Sequence, residues 1–214
     1  MGPVWAAVPV KGFAGAKQRL AGVLAPDARA ALAEAMLADV LAVLAAAPLA
    51  GILVNTEDEA AATLARGFGA ETIAMDALAG HTASVVAMGR HLAALGRGAM
   101  LTVPGDIPCV TADEIAALVA SAQPAPSFTI APSRDSMGSN AVLLAPPGAV
   151  ALRFGEDSYV PHLAAARAAG IAPRIVAQPG IGLDIDTPGD LHALRASTLP
   201  IGPRTRVILA TLPG

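Results

Sequence analysis

Asp106 stands alone between Gly105 and Ile107 in the run Thr102-Val103-Pro104-Gly105-Asp106-Ile107-Pro108. A short uncharged segment, Ala99 to Val103, leads into it. Such a segment reads as a strand buried on both faces, and Pro104-Gly105 ends its pairing. Asp106 is then displayed just past the carboxyl end of a central strand, the edge at which open α/β sheets hold ligands. The competing reading is an Asp that bonds the backbone of its own turn. A second stretch, Gly182-Leu183-Asp184-Ile185-Asp186-Thr187-Pro188, alternates Leu and Ile with two carboxylates. In an extended segment, residues two apart share a face, so Asp184 and Asp186 point together. Side by side they repel unless a cation lies between them. Hard oxygen donors of this kind suit Mg²⁺, with waters and phosphates completing the shell. The plainer alternative is a wet edge strand whose acids are spread by solvent.

A basic loop supplies the opposite charge. Lys11-Gly12-Phe13-Ala14-Gly15-Ala16-Lys17-Gln18-Arg19-Leu20 follows the strand-like Val4 to Val10 and carries three cations, Lys11, Lys17 and Arg19. A glycine-containing loop after a first strand is a common phosphate cradle in α/β folds. It is neither a P-loop nor a Gly-x-Gly-x-x-Gly turn, and a solvated basic loop would have the same composition. Further on, Phe154-Gly155-Glu156-Asp157-Ser158 opens a helix whose first turn, with Gly155 and Ser158, can offer N–H groups to an anion.

The elements that must position these residues alternate. Helices are expected from Pro26 to Ala46, after a Thr56/Glu59 capping box, from Thr82 or Ser84 to Leu95, after a Thr111/Glu114 capping box, over Tyr159 to Ala169, and from Thr187 to Arg195. Strands are expected at Val4–Val10, Gly51–Asn55, Glu71–Met75, Ala99–Val103, Ser127–Ala131, Asn140–Ala145 and Arg174–Ala177. Strand–helix alternation through the first half implies a mostly parallel sheet with helices on both faces. Leu32, Met36, Val40, Leu41 and Leu44 form the core face of the first long helix.

The chain has 214 residues, enough for one domain with a tail. A net charge of −3 gives no electrostatic case for nucleic acid or an anionic membrane. Aromatics make up only 3%, so the core must be aliphatic. The single Cys109 excludes an intrachain disulfide and reads as a small buried thiol. The uncharged stretch Val40 to Val54 contains Pro48 and Gly51 and is too short to span a bilayer. A cytoplasmic protein is the simplest expectation. Residues 1–196 are expected to form the domain. The tail, 197–214, either covers an edge or meets a second copy in a homodimer.

In this order the stretches resemble the guanylyltransferase family of deazaflavin coenzyme F-420 biosynthesis, which acts on 2-phospho-L-lactate, phosphoenolpyruvate or 3-phosphoglycerate. The matching pieces are Val8-Pro9-Val10-Lys11 with Ala16-Lys17 and Arg19-Leu20, Pro104 to Pro108, Gly138-Ser139-Asn140-Ala141, Arg153-Phe154-Gly155 with Ser158, His162 to Ala166, and Asp184 to Pro188. The resemblance covers residues 4 to 196. It implies a three-layer fold like that of nucleotide-diphospho-sugar transferases, with a mostly parallel mixed sheet. It implies transfer of GMP from GTP to a small phospho-acid, with release of pyrophosphate. On that reading Lys11, Lys17 and Arg19 hold the triphosphate, with Lys17 and Asp106 catalytic. Asp106, Asp184 and Asp186 bind Mg²⁺, and Ser139, Asn140, Gly155 and Ser158 bind the acid. His162 is read as structural. Gly80-His81-Thr82 replaces a Gly-Leu-Asn common in the family and would lie near the nucleobase, where Gly80 and Thr82, or Ser84, are the expected contacts. Two alternatives follow: a nucleotidyltransferase of the molybdenum-cofactor type, or a non-catalytic nucleotide-binding regulator.

Overall fold

A computed structural model describes residues 2–75, 79–155 and 157–213. Seven strands form one sheet: β1 (Val4–Pro9), β2 (Gly51–Asn55), β3 (Glu71–Ile73), β4 (Ala99–Thr102), β5 (Ser127–Pro132), β6 (Ser139–Ala145) and β7 (Arg174–Ile175). Their order is β3-β2-β1-β4-β6-β5-β7. Strands β1 to β4 are mutually parallel, whereas β6 runs antiparallel to both β4 and β5. The reversal falls beside β4, so the carboxyl end of β4 faces the amino end of β6. That edge carries Asp106 on one side and Ser139 and Asn140 on the other.

Period-two alternation along β1 explains the two core layers. Val4, Ala6 and Val8 pack on one face with Leu37, Val40, Leu41 and Leu44 of α1 (Pro26–Ala46) and Ile115 and Leu118 of α4 (Ala112–Ala120). Trp5 and Ala7 pack on the other with Val85, Met88 and Leu92 of α3 (His81–Ala94) and Leu163 and Ala166 of α5 (Tyr159–Ala168). The result is the expected α/β, three-layer arrangement with a mostly parallel mixed sheet. A third apolar cluster joins Leu20, Leu32 and Met36 to Leu183 and Ile185. It seats the Asp184–Asp186 segment against α1, so the face expected of α1 divides between the sheet and this segment.

Three local expectations differ from the structure. Helix α2 (Glu59–Gly67) is capped by Asp58, whose carboxylate accepts from Ala61 N at 2.9 Å. Thr56 therefore lies two residues before the cap and accepts from Asp58 N instead. Strand β3 stops at Ile73, two residues early; there Asn55 takes over the pairing, exchanging bonds with Met75 N and O. Helix α3 begins at His81, because Gly80 adopts φ 109° and turns the chain into it. The Thr111/Glu114 capping box forms as expected.

Beyond residue 196, helix α8 (Pro203–Thr211) lies on α1 rather than on a sheet edge. Its amino terminus is capped by the buried Asp39 carboxylate, which accepts from Thr205 N at 2.8 Å and Arg204 N at 3.2 Å. Among the described residues no helix is long and apolar enough to cross a membrane.

Candidate active site

The Lys11–Leu20 loop folds over the end of β1. Gly12 has φ 114°, a conformation L side chains rarely adopt, and a Cβ there would meet the Asp58 carboxylate. That carboxylate also accepts from Phe13 N, so one acid caps α2 and ties down the loop. Lys17 itself sits in the left-handed region, φ 52° and ψ 47°. For a residue other than glycine this costs about 1 kcal/mol and needs compensating contacts.

Those contacts are carboxylates. Lys17 Nζ pairs with Asp106 Oδ2 and, at 2.8 Å, with Asp186 Oδ1. Burial opposes the ammonium charge, but Asp106 and Asp186 outweigh it and hold the Lys17 pKa above its usual value. Burial likewise opposes the Asp186 charge, and Lys17, with Arg19 beyond it, holds that carboxyl below the ordinary range. Asp184 lacks such a partner. Its burial dominates, pushing its pKa up despite a bond from Asn140, and Asp106 and Asp186 add to the rise.

The Asp184–Asp186 segment is held from three directions. Ile185 N donates to Asp106 O at 3.1 Å, which joins the two acidic stretches directly. Asn140 Nδ2 donates to Asp184 Oδ1 at 3.0 Å and to Ile181 O at 2.9 Å. Thr187 and Asp190 form a reciprocal cap at the start of α7 (Pro188–Ala196), where Asp190 also accepts from Asp186 N. The preceding turn, α6 (Pro179–Gly182), is anchored by Glu114, which accepts from Gly180 N at 2.7 Å. Gly180 is required there because a Cβ would collide with Cys109 O and the Glu114 carboxylate. Cys109 is fully buried and its thiol is pushed up to about 11 by burial and Glu114, which suits packing and not nucleophilic attack.

A cavity of about 690 Å³ opens over this edge. Of the residues singled out from sequence, Arg19, Asp106, Ser139, Asn140, Gly155, Ser158, Asp184 and Asp186 line it. Lys17 reaches its wall through the two ion pairs. Lys11, Gly80 and Thr82 are not among the lining residues. Thr82 Oγ1 accepts from Phe154 N at 2.9 Å, and Ser84 Oγ accepts from Asn55 Nδ2 at 2.8 Å. Both hydroxyls expected near a nucleobase are thus engaged within the protein. His81, at the start of α3, does line the cavity and packs edge-on to Phe154.

The walls carry more acid than base, which would repel an anionic ligand unless a cation intervened. Asp106 Oδ1 is buried and has no hydrogen-bond partner. Hard donors with an unsatisfied oxygen are the kind of set that Mg²⁺ takes. Among the described residues no three ligating side chains are gathered into a ready-made cage, since the Lys17 ammonium stands between Asp106 and Asp186.

On the opposite wall, Ser139 Oγ lies 2.9 Å from His162 Nδ1 and 3.2 Å from Ser158 Oγ. His162 Nε2 accepts from Arg153 N at 2.9 Å. His162 therefore does more than fill space, a role that an i-spacing pattern on α5 could not reveal because both partners are distant in sequence.

The seven-stranded, mostly parallel mixed sheet is the fold of the nucleotide-diphospho-sugar-transferase-like class. A Desulfovibrio desulfuricans structure described as a nucleotide-diphospho-sugar transferase shares the fold at TM-score 0.77 and 19% identity, over 99% of this chain and 95% of its own. The chain belongs to the family described as "Guanylyl transferase CofC like", whose model matches residues 4–196. A phosphoenolpyruvate guanylyltransferase from Rubrobacter xylanophilus is 39% identical over 194 residues, 91% of this chain and 94% of the relative. A 3-phospho-D-glycerate guanylyltransferase from Colwellia psychrerythraea is 35% identical over 101 residues, 47% of this chain and 48% of its own.

Proposed function

We propose that this protein transfers GMP from GTP to a small phosphorylated carboxylic acid, with phosphoenolpyruvate the first candidate, in the assembly of coenzyme F-420. Family membership supports the reaction, and the name of the Rubrobacter relative supports the acid. The observation that carries the reading is the Lys17–Asp106–Asp186 constellation, facing Asp184 across the end of β4 and tied to it through Ile185.

An oxygen of the acceptor's phosphate attacks the α-phosphorus of GTP. A new P–O bond forms to the acceptor, the bond from the α-phosphorus to the α,β-bridging oxygen breaks, and pyrophosphate leaves with the electron pair. No covalent enzyme intermediate is needed, so the protein's work is positioning and charge compensation. Lys17 and Arg19 offset the triphosphate charge. The Ser139–Ser158 pair presents a hydroxyl donor to the acid. Asn140 holds Asp184 in place rather than reaching for substrate, since its amide donates to Asp184 and Ile181. Asp106, Asp184 and Asp186 would hold Mg²⁺, which supplies positive charge to the phosphates when bound.

Pyrophosphate release tests the reading. Each of phosphoenolpyruvate, 2-phospho-L-lactate and 3-phospho-D-glycerate is offered with GTP and Mg²⁺, and again with ATP, CTP and UTP. Release with GTP and one acid is the expected result. No release with any pair, from protein that binds GTP, rejects the proposal in favour of a non-catalytic nucleotide-binding role.

A further inference from the structure

The hydrogen-bond directions around His162 can be counted. Arg153 N can only donate, so the Nε2 that it meets at 2.9 Å must be an acceptor and carries no proton. A neutral imidazole then bears its proton on Nδ1. Nδ1 faces Ser139 Oγ at 2.9 Å, which makes Ser139 an acceptor in that contact. Ser139 and Ser158 own two hydroxyl protons between them, and their mutual contact at 3.2 Å uses one. The other remains for the cavity that both residues line. With the opposite tautomer, Nδ1 would demand a hydroxyl proton. The serine pair would then have none to spare and would present only lone pairs to the cavity. A phosphate or carboxylate ligand accepts and does not donate, so lone pairs would repel it.

We propose that His162 is a positioning residue for the acceptor acid: the Arg153 N–H fixes its tautomer, and that tautomer obliges the Ser139–Ser158 pair to present a hydroxyl donor to an anion. The proposal rests on the reading that a phosphorylated acid binds beside Ser139. Three features support it together. His162 is 1% exposed and Ser158 is 2% exposed, so neither exchanges these bonds with bulk water. Phe154 stacks edge-on against the His162 ring, centroids 4.9 Å apart, which restricts its rotation. The backbone donor, Arg153 N, lies two residues before Gly155, which lines the cavity together with Ser158.

Two measurements test it. The first is the tautomer of His162 in the wild-type protein at pH 7, from long-range proton–nitrogen correlation spectra, assigned by the signals that vanish in His162→Asn. The Nδ1–H form is expected, and an Nε2–H form or an imidazolium overturns the proposal. This result does not depend on turnover, so it separates failure of the inference from failure of the functional reading. The second is steady-state kinetics. His162→Phe keeps an aromatic ring against Phe154 and should raise KM for phosphoenolpyruvate about tenfold, the worth of one charge-assisted bond. KM for GTP should move less than about twofold, and His162→Asn, whose amide can still donate to Ser139, should recover most of the loss. In a Ser139→Ala background, His162→Phe should add less than about twofold, because the partner through which it acts is gone. Independent, multiplying losses, or equal losses for GTP and the acid, overturn the proposal. If His162→Phe does not fold, the wild-type tautomer and the His162→Asn kinetics decide.

Discussion

Replacing Lys17 by Met keeps the aliphatic stem and removes the ammonium that joins two carboxylates. The exposures set the size of the effect: the side chains of Lys17, Asp106 and Asp186 are 9%, 25% and 46% exposed. Breaking a wholly buried pair costs roughly 3–5 kcal/mol, and an exposed pair roughly 0–1. With one partner half in water, a loss of about 2 kcal/mol at pH 8 is expected. The pH dependence has a definite sign. In the native protein burial pushes the Asp186 pKa up, but Lys17 more than reverses this and holds it below its unfolded value. Asp186 therefore contributes stability above its unfolded pKa, and that contribution fades as pH falls through the lowered folded value. Without Lys17 the largest lowering influence on Asp186 is gone, so the variant has less of this stability to lose on acidification. The gap between the two proteins should shrink from pH 8 to pH 5 in urea unfolding curves. A gap below about 0.5 kcal/mol at pH 8, or one that stays constant or widens on acidification, would refute the ion-pair account. Turnover should fall at least about 100-fold, since the charge proposed to offset the triphosphate is lost.

His162 is buried and its pKa is lowered to about 4, mainly by burial and further by Arg153. The unfolded chain binds a proton near pH 6.5 that the folded chain refuses, so stability is full above that pH and falls as pH drops toward 4. Between pH 7.5 and 4 the wild type should lose about 3 kcal/mol more than His162→Phe, read from urea unfolding at each pH. Asp106→Asn keeps the side-chain shape and should lower turnover by roughly 10³ while the melting midpoint moves by no more than about 5 °C. Near-wild-type turnover at saturating Mg²⁺ would remove Asp106 from the proposed metal set.

Much of the fold was legible because its signals are local. Uncharged runs such as Ala99–Val103 read as buried strands, Pro26 and the 3.6-residue period marked α1, and Thr111/Glu114 marked α4. The Asp184/Asp186 pairing followed from alternation alone, and both residues line the cavity as that alternation requires. What the sequence hid is long-range. Nothing near Thr82 or Ser84 shows that their hydroxyls are taken by Phe154 and Asn55, 72 and 29 residues away. The Thr56/Glu59 pattern was outcompeted by Asp58, whose carboxylate is also drawn to Phe13, 45 residues earlier in the chain. Asn140 looked like a ligand contact, yet its donors are committed to Asp184 and Ile181. His162 looked like core because burial dominates its surroundings, and the backbone N–H that it accepts from is one no side-chain pattern encodes.

In the proposed reaction a phosphate of the acceptor becomes bonded to the α-phosphorus of GTP. Phosphorus-31 NMR of one reaction containing the protein, GTP, Mg²⁺ and the best acceptor acid addresses it directly. Inorganic pyrophosphate is expected, together with a pair of mutually coupled signals from a new P–O–P linkage. GDP and orthophosphate instead, or GTP consumed while the phospho-acid signal stays unchanged, would contradict it.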